Sequence, residues 1–168
     1  MVDAIVMDGR RYSFEQVKSL PIETKPESLA MRSNDQTLLF YGCASPLSNF
    51  FPAKIDLAEK SFKCMEQFFQ YSKCVFAGDM SSAAKVLEVE DPVQQKRLGD
   101  RVKGLDEDKW QGIVHEVMFK ANMAKFTQYS ELGDFLKSTR PKTLAEANPH
   151  DLFWGTGVHI HRRDAFEG

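Results

Sequence analysis

The stretch Phe62–Phe76, FKCMEQFFQYSKCVF, constrains this chain more than any other. At about 100° per residue on a helical wheel, Glu66, Gln70 and Lys73 fall in one stripe about 60° wide. Met65, Phe68, Phe69, Tyr71, Val75 and Phe76 occupy much of the remaining circumference. A helix that is apolar on most sides is buried. A buried helix does not carry a glutamate and a lysine on one line without partners, because an unpaired buried charge is strongly destabilising. The stripe therefore either closes into an internal ion-pair ladder or lines a wet pocket.

Around this helix the chain is punctuated by clear start and stop signals. Ala4–Met7, Asp8-Gly9 and Arg10–Tyr12 read as a hairpin, since both turn residues tolerate positive φ. Ser13, with Gln16 three residues on, opens a short helix through Leu20. Pro21 to Asn34 is polar and reads as a linker, so residues 1–35 form an appendage and residues 36–168 the main domain. Thr37–Tyr41, Lys54–Leu57 and Thr143–Ala147 are short strand candidates. Helices are expected over Phe62–Phe76, from Asp79 through Val89, and from Asp91-Pro92 toward Val102. A long helix follows from Asp106 through Phe126, then a shorter one from Ser130 to Lys137. About five helices and few strands predict a mainly α domain with a minor β part.

Composition removes several classes of function. The 168 residues are 42% hydrophobic and 27% charged, with a net charge of −2, as for an average globular protein. No global basic field exists to follow a nucleic-acid duplex. No apolar run approaches the roughly 20 residues of a membrane helix, and MVDAIVMDGRR lacks the apolar core of a signal peptide. Cys43, Cys64 and Cys74 are odd in number and form no CxxC pair, so a reducing, cytoplasmic setting is expected. Walker, GxGxxG, GxSxG and HExxH motifs are absent from the sequence.

Two further segments carry chemistry. Asp151-Leu152-Phe153-Trp154-Gly155 places an acid and an indole three residues apart in a glycine-flanked loop. Such a loop suits a flat heterocycle: the carboxylate accepts hydrogen bonds from its edge, the ring stacks on its face, and Gly155 permits close backbone approach. Trp110 reads first as a core anchor. His159 and His161 lack a third ligand nearby, so no metal is expected.

Taken in order, the residues resemble the NADAR, or YbiA-like, family. The shared pattern runs through Ser48-Asn49-Phe50, Glu66-Gln67-Phe68-Phe69-Gln70 and Lys73, then Pro92, Leu98-Gly99, Trp110, Met118 and Lys125-Phe126. It closes with Leu132, Leu144, Glu146 and Asp151 to Gly157. The family pattern usually has histidine where this chain has Gln67, which keeps hydrogen-bonding capacity but removes titration near neutral pH. The pattern's GxNxLG-type segment and last helix are not found after the Trp154-Gly155 loop, so the expectation is that either the pattern is cut short here or the N-terminal hairpin and helix compensate.

The resemblance implies a YbiA-like helical fold and a cofactor-free N-glycosidase cutting at ribose C1′. Its substrate would be ADP-ribosylated guanine, free or in nucleic acid, or a ribosylamino-pyrimidine phosphate of riboflavin synthesis. A non-catalytic module binding ADP-ribose or NAD is the alternative. A small nucleotide-like ligand is thus the expected partner, with no membrane. By the same resemblance Glu66 acts at C1′, Lys73 is an amine nucleophile, and Asp151 holds the leaving base. Ser48, Asn49, Phe50, Gln70, Trp110, Trp154 and Gly155 bind substrate.

Overall fold

The computed structural model describes residues 30–162 and 164–166, and ahead of them the backbone of two strands, β1 (Ile5–Met7) and β2 (Arg10–Tyr12). These strands pair antiparallel with Met7 opposite Arg10, as the sequence predicts. The helix expected over Ser13–Leu20 lies outside the described residues.

The described chain clusters into two units, Met1–Phe51 with Glu131–Gly168, and Pro52–Ser130. In the first, β3 (Met31–Ser33) and β4 (Thr37–Phe40) form an antiparallel pair. β3 arises inside the stretch read as linker. Asn34 makes the connection tight: its side-chain oxygen accepts from the Gln36 and Thr37 amides at 2.9 and 2.7 Å. β7 (Thr143–Glu146) joins the other edge of β4 in parallel, Thr37 opposite Thr143. Leu39, Ala147, Ile160 and Ala165 form the core beside this sheet. Arg32 ties the tail to β3 by donating to the Ile160 and Arg162 carbonyls at 2.5 and 2.8 Å.

The second unit opens with a hairpin, β5 (Ile55–Leu57) and β6 (Lys60–Phe62). Phe62 is expected to begin the apolar helix, but it closes β6. That helix, α1, runs Met65–Phe76 and ends before Gly78, whose φ of +74° suits glycine. α2 (Met80–Glu88) is capped by Asp79, and α3 (Pro92–Gly99) by Asp91 with proline at its first turn.

The long helix expected from Asp106 to Phe126 is two. Asp106 caps a short α4 (Glu107–Gln111), which ends at Gly112, and α5 (Val114–Gln128) restarts after Ile113. Glycine and β-branched isoleucine in succession are poor helix formers, and the chain turns there. α6 (Ser130–Ser138) follows, as expected. Within Pro52–Ser130, α2, α3 and α5 pack around α1, and Cys74, Ala83 and Val86 form a small core under Tyr71, Leu98 and Val102.

Candidate functional site

The predicted residues divide between the two units. Glu66, Gln70, Lys73 and Trp110 belong to Pro52–Ser130; Ser48, Asn49, Phe50, Asp151, Trp154 and Gly155 belong to the other.

α1 buries its polar stripe at the N-terminal end. Glu66 is 5% exposed, Gln67 1% and Gln70 2%. Glu66 lies in the first turn, where the helix dipole favours a carboxylate. Gln70, one turn on, donates Nε2–H to Glu66 Oε1 at 2.7 Å. Lys73 is half-buried in the last turn.

Gln67 stands where the resembling pattern has histidine, and its work here is structural. Its Nε2 lies 3.0, 3.2 and 3.1 Å from the Val86, Leu87 and Val89 carbonyls, and its Oε1 accepts from the Lys63 amide at 2.8 Å. The end of α2 leaves carbonyls without helical partners, and this buried amide supplies donors for them.

The deeply buried amine of the unit is Lys125 on α5, with no measurable exposure. Burial lowers its pKa to about 7, an effect the Cys64 thiol opposes. Its Nζ sits 5.1 Å from the centre of the Phe126 ring. The Cys64 thiol is pushed up to about 11, mainly by burial, with Glu66 raising it further and Lys125 lowering it. Acid and amine thus both act on one buried thiol, which also donates to Gln95 Oε1 at 3.3 Å.

Sequence reasoning gave Lys125 no role, yet a signal existed. Val114, Met118, Ala121 and Lys125 recur at steps of four, three and four, so the lysine continues a core-facing line.

Trp110, 3% exposed, is a core residue of the unit, its ring 5.6 Å from Phe69 and 5.5 Å from Phe76 between centres.

In the other unit, the loop after β7 is organised by Asp151. Its Oδ1 accepts from the Phe153 and Trp154 amides at 3.0 and 2.9 Å. Trp154 is half-buried and meets Phe153 edge-on at 4.8 Å, while Leu152 and Phe153 are exposed. Gly155 is required by the loop itself: a Cβ there would come 2.7 Å from the Asp151 carbonyl and 2.9 Å from Asn148 Cβ. The Thr156 amide then returns to the Glu146 carbonyl at 2.8 Å. Ser48 is buried, and its hydroxyl accepts from the Phe50 amide at 3.1 Å; Asn49 and Phe50 are half-buried. Among the described residues, no three His, Cys, Asp or Glu side chains are grouped to hold a metal ion, and no helix is long and apolar enough to cross a membrane.

Mainly helical with short strands, the chain is a small α-rich protein with a carboxylate and an amine buried in one helical unit. The family model for the NADAR domain matches residues 39–168. The chain belongs to the NADAR family.

It is 32% identical to the N-glycosidase YbiA of Escherichia coli (strain K12) over 131 residues, covering 74% of this chain and 78% of that protein. It is 32% identical to Protein irg-1 of Caenorhabditis elegans over 145 residues, covering 75% and 68%. Over 157 residues it is 31% identical to the chloroplastic riboflavin biosynthesis protein PYRR of Zea mays, covering 86% of this chain and only 25% of that protein. The solution structure of E. coli YbiA superposes with a TM-score of 0.65 at 27% identity, covering 88% of each chain, and fixes the fold as YbiA-like.

Proposed function

We propose that the protein is an N-glycosidase that breaks the bond between a base nitrogen and ribose C1′. The observation that carries the reading is Glu66, a buried carboxylate steadied by Gln70 in the same unit as a buried amine of depressed pKa. N-glycosidic cleavage builds positive charge at C1′, which a desolvated carboxylate stabilises while activating water. Relatives named N-glycosidase and riboflavin biosynthesis protein support the bond class.

Two substrates fit this chemistry. A ribosylamino-pyrimidine phosphate would be hydrolysed at C1′ with Glu66 as base toward water. An ADP-ribosylated guanine would use an amine: the neutral amine attacks C1′ of the opened ribose, the base leaves with a proton, and water then hydrolyses the lysine imine. Sequence reading gives that step to Lys73, but Lys125 suits it better, because a pKa of about 7 leaves a substantial neutral fraction at neutral pH.

The test is chromatography of both substrates with the wild-type protein, with and without borohydride. Base release from either supports the reading, and a reduced adduct mapped to Lys125 assigns the amine. Tight binding of ADP-ribose with no product from either substrate contradicts it in favour of a binding module.

A further inference from the structure

Gly99 closes α3 with a backbone that does not call for glycine, since it lies outside the left-handed region. Glycine is a poor helix former, so something other than φ keeps it there. That something is Gln70. A Cβ on Gly99 would overlap Gln70 Oε1 and come within 2.6 Å of its Cδ and 3.1 Å of its Cβ. The Gln70 oxygen is buried and has no hydrogen-bond partner among the described residues. Its carbonyl therefore does not draw the amide to this spot; the bond from Nε2 to Glu66 does.

We infer that Gly99 is a positioning residue for the acid at Glu66: its missing side chain leaves the space through which Gln70 extends to hold the carboxylate. The inference rests on the reading of Glu66 as the group acting at C1′. The overlapping atoms are the flexible end of Gln70. A methyl at position 99 is thus accommodated by swinging the amide away, leaving the fold intact and Glu66 without this donor.

The experiment compares Gly99→Ala, Gln70→Asn and the double variant, by steady-state kinetics and by the Gln70 side-chain NH2 signal in ¹H–¹⁵N spectra. Gly99→Ala is expected to lower kcat about a hundredfold, as small misplacements of a reacting group do. KM should stay within about twofold, since the loss is confined to the transition state. Gln70→Asn, too short to reach Glu66, should match it. The double variant should be no slower than Gln70→Asn, because the shorter amide has vacated the contested space. The Gln70 NH2 signal should move in Gly99→Ala.

Wild-type kcat in Gly99→Ala, fully multiplicative losses in the double variant, or an unmoved Gln70 signal would overturn the inference. A Gly99→Ala protein that unfolds, alone or combined with Gln70→Asn, contradicts it. If the wild type turns over neither substrate, the glycosidase reading fails, and the Gln70 signal still decides whether Gly99 seats Gln70 against Glu66.

Discussion

Gln67 and Gln95 converge on a single carbonyl, that of Val89, with their Nε2 atoms 3.1 and 2.9 Å from its oxygen. Between them these buried amides also serve the Val86, Leu87 and Glu90 carbonyls, so the end of α2 is finished by side chains from α1 and α3. Removing one donor leaves Val89 with the other; removing both leaves a half-buried carbonyl without either donor. Gln67→Ala should therefore cost ~3 kcal/mol, the scale of stranded buried polar groups. Gln67→Ala/Gln95→Ala should cost more than the sum of the singles. Urea unfolding of the four proteins measures the coupling, and simple additivity would refute the shared-acceptor account.

Cys43 is exposed, whereas burial excludes Cys64 and Cys74 from solvent and raises both thiols. Iodoacetamide at pH 8 should label Cys43 in the native protein, and the other two only after denaturation. Mass spectrometry of the peptides decides it; native labelling of Cys64 at the rate of Cys43 would contradict the buried cluster.

Lys125 gives stability a particular pH dependence. Its native pKa is about 7, against about 10.4 for an unfolded lysine. Between these values the unfolded chain binds a proton that the native one does not, so this lysine makes stability rise with pH over that window. Its destabilising effect is full below pH 7 and gone above about pH 10.4. Lys125→Met should be more stable than wild type below pH 7, the gap narrowing toward pH 10. Equilibrium unfolding from pH 6 to pH 10 checks the trend, which a gap independent of pH would contradict.

The β5–β6 hairpin turns on Ala58 and Glu59, with φ of +52° and +60°. Two successive left-handed residues are those of a type I′ turn, which prefers Asn-Gly. Ala58→Asn/Glu59→Gly should stabilise the fold by ~1 kcal/mol, since side chains other than Gly and Asn pay for that conformation. A lower melting temperature in the variant would show that these side chains make contacts worth more than the relief.

The same hairpin shows what the sequence hides. Asp79, Asp91-Pro92 and Asp106 announce their helices because an aspartate before a helical run has one strong local use, and each side chain does accept from a first-turn amide. Ala58-Glu59 announces nothing, since its conformation is imposed by the pairing of Leu57 with Lys60. Phe62 therefore reads as the start of a helix when it is the end of a strand. The break at Gly112-Ile113 is likewise a tertiary decision, local propensity allowing either a kink or a stop.

At the site, Glu66 and Gln70 are legible because a polar stripe on an apolar helix violates the expected pattern. Gln67 sits beside that stripe, and only the structure shows the carbonyls it reaches. Lys125 stays hidden because a lysine on a mixed helix normally lies at the surface, and only the spacing of Val114, Met118 and Ala121 marks its face as core.

The most direct test of the account is the rate of base release by wild type and Glu66→Gln, side by side on ADP-ribosylated guanosine and on ribosylamino-pyrimidine phosphate. Glutamine keeps an oxygen for Gln70 Nε2, so melting temperature and circular dichroism should hold. The rate on the better substrate should fall about 10²–10⁴-fold, the usual worth of a positioned acid–base group. Full activity in a folded Glu66→Gln protein would remove Glu66 from the chemistry and the proposed mechanism with it.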